Sequence, residues 1–577
     1  MSLSQQSSVQ PRERTVVEDD AAARDIPETA LIGTSGDPRP RTARWWTTTA
    51  LAGGVVLAAL VLPNRVERLT PGNFVAIPLE GLVGAGLVLA LPPRWRRAFA
   101  ALFGVALGVL TVQKAFDMGF YSVLARPFDP VLDGELLGPG IDYLTSSLGR
   151  ARGIAVVAGL VALALAVVAL TTWATLRTAT AVTRFRRRSA EVLAAAAVAW
   201  ALCAALGVAY VPHRPVAAYR TADIAYDRGG QVVADLRDRG EFADLAGDDA
   251  FRGTPGDRLL TGLRGKDVVV AFVESYGRSA IEDPAMSAGV DAMLTTGDRR
   301  LRAAGFAARS GWLTSSTVGG GSWLAHATLL SGLWVSNAQR YRTLVNSDRL
   351  TLNRAFKRAG WQTAAVMPEI RRAWPEASFY GYDRLYGAHD VGYRGPRFGY
   401  ATMPDQYTLS ALQRLERARP GHAPVMIETA LVSSHAPWAP LPSAVGWDAV
   451  RDGSVFKPMV KPGGPRRVTW RDPAQARTAY VKSIEYSVTS LISYLETYGD
   501  PNLVLVMLGD HQPAPLVTGP DASREVPITI VAKDPAVLDK VSGWGWTDSL
   551  KPAPTAPVWP MSSFRDRFLS AFGTATP

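Results

Sequence analysis

Two hydrophobic textures divide the chain. Between residues 45 and 210 the apolar positions form long runs broken by short charged stretches; after 263 they form runs of six to nine residues separated by amphipathic segments. The long runs lie at 45–63, 73–91, 98–117, 153–176 and 189–210. Each approaches the length a helix needs to cross a hydrocarbon core of about 30 Å. Five transmembrane helices are therefore expected over 45–210. The first run, "WWTTTALAGGVVLAALVLP", has no small-residue cleavage site and reads as a retained helix, not a signal peptide. Residues 1–44 mix charges, prolines and small polar residues without an apolar period, which predicts a disordered tail.

Residues 211–262 are polar and mixed in charge, with a helix expected near 229–245, and read as a juxtamembrane connector. From 263 to 577 the strand candidates are "DVVVAFVE" (267–274), "TAAVMP" (363–368), "PVMIETALV" (424–432), "LVLVMLGD" (503–510) and "PITIVA" (527–532). Continuous apolar strands alternating with helices predict an α/β domain whose largely parallel sheet is covered on both faces. No internal repeat is present, and "KPMVKPGGPRR" (457–467) reads as an exposed basic loop.

Charge sharpens this picture. The net charge is +11, yet 47% of residues are hydrophobic, a balance that points to a membrane and away from nucleic acid. Arg39, Arg41 and Arg44 precede the first run; Arg94, Arg96 and Arg97 separate the second from the third. Arg177, Arg184, Arg186, Arg187 and Arg188 separate the fourth from the fifth. The 118–150 loop is instead acidic (Asp129, Asp133, Glu135, Asp142). The positive-inside rule then puts the N-terminus in the cytoplasm and, after five crossings, residues beyond 210 outside. Cys203 is the single cysteine, so neither an internal disulfide nor a cysteine zinc site can form.

Ligand sites in open parallel sheets form beyond the carboxyl ends of the strands. Those ends carry Glu274 ("FVESYG"), His435 ("SSHAPW"), and Asp510 with His511 ("GDHQP"). Each alone has a plain reading: a loop acid or cap partner, a surface histidine, a turn aspartate. Together they make a mixed oxygen and nitrogen set suited to Zn²⁺ or Mn²⁺. "TVGGGSWLAHATLLSGL" (317–333) adds Ser322 on a glycine-rich backbone and His326 four residues on. A linker or a helix N-cap explains the glycines or the serine singly. A nucleophile poised beside a metal explains both.

The order of these motifs resembles the alkaline phosphatase/sulfatase superfamily. Within it the chain is most similar to lipoteichoic acid synthase and the related phosphoglycerol and phosphoethanolamine transferases, five-helix membrane anchors carrying an extracytoplasmic catalytic domain. The resemblance implies Glu274, Asp510 and His511 as ligands of one divalent ion, Mn²⁺ or Zn²⁺ with Mg²⁺ as a further option. It implies Ser322 as nucleophile and fourth ligand, where the transferases usually have threonine. His435 matches a substrate-binding histidine that assists proton transfer, a role His326 could share. Trp374, in "RRAWPEASFYGYDRLYG", resembles an aromatic near the substrate headgroup, with Arg371 or Arg372 as phosphate partner. The chain departs from formylglycine sulfatases: Leu324 and His326 stand where their modification signal requires proline and arginine. It also offers one acid, Glu274, where sulfatases usually pair two aspartates after the first strand.

The expected activity is two-step transfer of a phosphoglycerol-type group from a phospholipid to an envelope glycan or polymer. A tethered phosphodiesterase or sulfuric ester hydrolase would use the same site, and a non-catalytic envelope scaffold would keep only the fold. A serine hydrolase fits less well, because Leu324 replaces the second glycine of a G-x-S-x-G elbow.

Overall fold

The computed structural model describes residues 39–211, 214–438, 441–460 and 472–574. Most of the expected disordered tail, and the 461–467 part of the expected basic loop, lie outside the described residues. Residues 39–44, assigned to that tail by sequence, are helical. The chain divides into Met1–Ala50, whose described part is the start of a helix, and one compact unit, Leu51–Pro577.

Among the described residues, four helices are long and apolar enough to cross a membrane: Ala43–Val61, Pro93–Leu124, Arg150–Arg184 and Arg186–Ala205. The second expected crossing, 73–91, folds differently. It opens with a 3-10 turn and a two-residue strand, and its helix, Leu79–Ala90, has 12 residues. At 1.5 Å per residue that is about 18 Å, short of a ~30 Å core. Pro78 interrupts the run, removing a backbone donor that a continuous helix would use, and the helix starts directly after it. Five full-length crossings are thus four long helices and one short one.

Pro93–Leu124 packs antiparallel on Arg150–Arg184. A Cβ at Gly104 would stand 2.6 Å from Thr172 Cα, and one at Gly108 would stand 2.7 Å from Val168 Cα. This is the small-xxx-small geometry that lets membrane helices touch backbone to backbone. Thr171 Oγ1 donates to the Gly104 carbonyl across the seam (3.0 Å). Two buried ionisable groups on the same helix reach the connector helix, Arg220–Gly247. Lys114 Nζ donates to the Ala59 carbonyl (3.0 Å) and to Thr221 Oγ1 (2.9 Å), and Arg228 Nη2 donates to both Asp117 oxygens (2.9 Å each). Such groups are too costly to bury without partners, so each is satisfied.

The C-terminal region is built on an eight-stranded sheet: β1 Asp267–Val273, β2 Ala307–Thr314, β3 Gln362–Val366, β4 Arg384–Tyr386, β5 Val425–Leu431, β6 Leu503–Gly509, β7 Glu525–Ala532 and β8 Val558–Pro560. Their order is β8-β2-β7-β6-β1-β5-β3-β4. Five neighbouring pairs are parallel, and β7 runs antiparallel to both β6 and β2. On β1, Val268, Val270 and Phe272 enter one core cluster while Val269, Ala271 and Val273 enter the other. Burial on both faces is why this strand reads as an unbroken apolar run. β2 has no such run, since Arg309, Ser310 and Gly311 interrupt it, and Ser310 is satisfied within the sheet by Thr529 Oγ1 (2.9 Å). β4 and β8 have three residues each, too few to carry a period.

Candidate active site

The sheet register brings the first acid and the Asp-His pair together. β1 and β6 are parallel neighbours with Val273 opposite Gly509, so Glu274 and Asp510 emerge side by side at the carboxyl edge. β5 pairs with the other side of β1, Leu431 opposite Val273, and its continuation carries Ser433, Ser434 and His435. Ser434 Oγ donates to the Glu274 carbonyl (2.6 Å), fixing the turn. Ser275 takes a left-handed φ of 57°, and its amide donates to Asp510 Oδ1 (2.7 Å).

Ser322 arrives from the opposite direction, as the first residue of the Ser322–Ser331 helix, with Gly321 as N-cap. The glycine loop before it is pinned by the Gly319 amide donating to the Gln512 carbonyl (2.8 Å). Ser322 Oγ donates to Glu274 Oε2 (2.9 Å) and lies 3.2 Å from His511 Nε2. At this helix N-terminus the free amides favour negative charge on an attached group.

Glu274, Asp510 and His511 are buried, and their ligand atoms lie within 4.8 Å of one another. His511 Nδ1 donates to the Gln512 carbonyl (2.8 Å), which leaves the Nε2 lone pair facing Glu274 Oε1 (3.4 Å) and Asp510 Oδ2 (3.7 Å). This is the tautomer and the second contact typical of a metal-ligating histidine. Burial pushes both carboxyls up. For Glu274 the facing His511 and His435 and its hydrogen bonds outweigh burial and hold it low, whereas Asp510 is driven up by burial and by the Glu274 charge. Two buried carboxylates competing for one charge, an imidazole lone pair and a hydroxyl form a donor set that fits a divalent cation.

His326, one turn beyond Ser322, stacks on Phe272 with centroids 3.6 Å apart. Its Nδ1 donates to Glu428 Oε1 (2.9 Å), and the other Glu428 oxygen accepts from Tyr382 Oη (2.5 Å) and Asn353 Nδ2 (3.1 Å). His435 stacks on Tyr400 (3.9 Å), with Nδ1 donating to the Ala436 carbonyl (2.5 Å).

A cavity of about 360 Å³ joins these groups, lined by Glu274, Ser322, His326, Trp374, His435 and Asp510 among others. Arg371 and Arg372 are not among its lining residues. Arg371 Nη2 donates instead to Glu369 Oε2 (2.9 Å) and to the Tyr400 carbonyl (3.2 Å). Sequence reasoning missed Glu428, Glu369 and Tyr400, all of which line the cavity. Glu428 had a signal: it is the lone acid inside the apolar run "PVMIETALV".

Residues 266–523 match the sulfatase family model. This region is a sulfatase-family domain. The matched stretch contains Glu274, Ser322, His326, His435, Asp510 and His511, and supports an enzyme of the sulfatase family. Among solved structures the sulfatase-family domain is similar to the lipoteichoic acid synthase LtaP from Listeria monocytogenes, at 14% identity over 54% of this chain and 76% of that one, with a TM-score of 0.35. It is similar to the C-terminal periplasmic domain of EcEptC from Escherichia coli in complex with Zn, at 12% identity over 53% and 82%, TM-score 0.35. The phosphoglycerol transferase GacH from Streptococcus pyogenes, in complex with sn-glycerol-1-phosphate, is similar at 13% identity over 59% and 91%, TM-score 0.32. No curated protein matches the chain.

Proposed function

We propose that the chain is a membrane-anchored, metal-dependent transferase that moves a phosphoglycerol-type group from a phospholipid to an envelope glycan or polymer through a covalent Ser322 intermediate. The observation that carries this reading is Ser322 Oγ at 2.9 Å from Glu274 Oε2 and 3.2 Å from His511 Nε2, at a helix N-terminus. Glu274, Asp510, His511 and Ser322 would hold a divalent cation, Mn²⁺ or Zn²⁺ ahead of Mg²⁺ because one donor is an imidazole. Bound there, the cation would supply Lewis-acid stabilisation of negative charge on the reacting oxygens.

The chain's own groups account for the remainder. Ser322 Oγ forms a bond to the donor phosphorus while the phosphorus–oxygen bond to diacylglycerol breaks. His326 or His435 takes up the Ser322 hydroxyl proton and gives one to the leaving diacylglycerol oxygen. In the second step the same histidine takes the proton of the acceptor hydroxyl as that oxygen bonds to phosphorus, and returns it to Ser322 Oγ as the phosphorus–Ser322 bond breaks. Trp374 on the cavity wall offers an apolar face to the headgroup.

The reading also puts the sulfatase-family domain outside the cell. Because the Pro93–Leu124 and Arg150–Arg184 helices are antiparallel, Arg94, Arg96 and Arg97 lie at the same end as Arg184, Arg186, Arg187 and Arg188. The opposite end, at Val123, touches Gly319 of the sulfatase-family domain. A basic end facing away from that domain supports a cytoplasmic basic face and an extracytoplasmic site.

The test is intact-mass spectrometry of the full-length protein in detergent with Mn²⁺ and phosphatidylglycerol, beside Ser322→Ala. A phosphoglycerol adduct on the wild type alone is expected. Diacylglycerol and free glycerol phosphate released without an adduct or an acceptor product would replace transfer with hydrolysis.

A further inference from the structure

The glycine loop has two sides. One faces the cavity just described; the other faces a second cavity of about 340 Å³ at the junction of membrane and sulfatase-family regions. Gly320, Gly321 and Trp323 line both. The far walls come from Leu124 at the end of the Pro93–Leu124 helix, Arg126 and Leu132 of the segment that follows it, Gln231 of the connector helix, and Thr317, Trp334, Asn337 and Arg524. The two halves are in direct contact: a Cβ on Gly319, whose φ is +71°, would sit 1.7 Å from the Val123 carbonyl oxygen.

The acids of this cavity are already committed. Asp133 takes both Arg126 nitrogens (2.5 and 2.7 Å), and Asp129 takes the Val131 and Leu132 amides and Gln231 Nε2. Arg524 differs. The one hydrogen bond of its side chain is a 3.4 Å contact from Nη1 to the Ser316 carbonyl, and among the described residues no carboxylate pairs with it. Burial and the neighbouring Arg126 charge hold its guanidinium below the ordinary arginine range, as for a cation lacking an anionic partner. Thr317 is 8% exposed, and its buried Oγ1 has no hydrogen-bond partner. The Ala338–Val345 helix, capped by Asn337 on the Arg340 amide (2.8 Å), begins on the same wall and favours negative charge there. Trp323, Trp334, Leu124 and Leu132 give the cavity an apolar side.

An unpaired guanidinium, an orphaned buried hydroxyl and a helix N-terminus facing two tryptophans form a site for one anionic group attached to an organic residue. We infer that this junction cavity is a second, non-catalytic binding site for a phosphate ester, held by Arg524 and Thr317 on the opposite side of the nucleophile loop from the reaction. Because the 124–132 segment supplies part of its wall, the site exists only while the membrane region is docked on the sulfatase-family domain.

The experiment titrates glycerol phosphate by calorimetry into the full-length, EDTA-treated protein in nanodiscs. One set of discs contains phosphatidylcholine alone, the other phosphatidylcholine with phosphatidylglycerol. In phosphatidylcholine discs one saturable site is expected, weakened about tenfold or more by Arg524→Gln, the scale of a lost charge-assisted hydrogen bond. Arg524→Lys keeps most of the affinity, Thr317→Val loses part of it, and Ser322→Ala leaves it unchanged. If the natural occupant is a lipid headgroup, phosphatidylglycerol discs weaken the titration in the wild type and not in Arg524→Gln; if it is a soluble or polymer-borne ester, both discs give the same affinity. Equal binding by wild type and Arg524→Gln, absence of a saturable site, or loss of binding in Ser322→Ala would each overturn the inference. None of these readouts needs turnover, so they stand apart from the outcome for the transferase reading.

Discussion

His326 Nδ1 donates to Glu428 Oε1 across 2.9 Å, joining the helix that carries Ser322 to the middle of strand β5. Glu428 is 1% exposed and accepts three hydrogen bonds, so the ring is held in one orientation with Nε2 available as an acceptor. A histidine oriented by a buried carboxylate is a standard acid-base arrangement. His326→Ala is expected to lower kcat by about 10²- to 10⁴-fold with little change in KM. Glu428→Gln should lower kcat less and also destabilise the fold, since a carboxamide has one accepting oxygen and cannot accept from His326 on one side and from Tyr382 and Asn353 on the other. Steady-state kinetics with thermal denaturation checks both; a His326→Ala enzyme within about twofold of wild type would remove the histidine from the chemistry.

The Glu274, Asp510 and His511 cluster predicts a stability gain on metal binding. Adding Mn²⁺ or Zn²⁺ to EDTA-treated protein should raise Tm, by the equivalent of about 2.7 kcal/mol at a hundredfold excess over Kd. Asp510→Asn can still accept from the Ser275 and His511 amides, as Asp510 Oδ1 does now, so it should fold. Its Tm should barely respond to metal. A full metal response in this variant would mean that the cation binds elsewhere.

Asp405 gives a pH signature unrelated to the site. It is fully buried, and burial, only partly offset by Ser487 and Ser433, pushes its carboxyl up to about 6. The unfolded chain ionises near the ordinary value of 3.8, so between 3.8 and 6 the folded state binds the extra proton. The associated stability is complete below pH 3.8 and lost as pH rises through 6, about 3 kcal/mol in all. Asp405→Asn can keep the Ser433 and Ser487 contacts without titrating. Wild type should therefore lose about that much stability relative to the variant between pH 4 and pH 7 in denaturation measured at both.

Gly104 and Gly108 predict a packing defect within the membrane region. Gly108→Leu forces side-chain atoms into Val168 and Thr171, and should cost about 1–3 kcal/mol. Gly108→Ala should cost less. Detergent-solubilised protein heated in steps and followed by size-exclusion chromatography would rank wild type, alanine and leucine in that order of survival.

Several elements were legible because their cause is local. Strands β1 and β6 are buried on both faces and therefore appear as unbroken apolar runs, β5 as one broken only by Glu428 and Thr429, and a parallel sheet presents their carboxyl ends on one edge. Glu274, His435, Asp510 and His511 could be listed as neighbours on that ground alone. The expected 73–91 crossing is longer than the Leu79–Ala90 helix because summed hydrophobicity does not register what Pro78 does to the backbone. β2, with polar residues satisfied inside the sheet, left no period to find.

By itself the sequence determined which stretches can cross a membrane, where basic charge accumulates between them, and which strands end in chemistry-bearing residues. Periodicity and charge are properties of neighbours along the chain. Tertiary structure decided the rest: Ser322 Oγ within reach of Glu274 and His511, Glu428 beneath His326, Arg371 turned to Glu369, and Val123 seated on Gly319. Those contacts join residues 2 to nearly 200 positions apart. They depend on sheet register, helix docking and the burial of polar groups against specific partners, none of which a local pattern encodes.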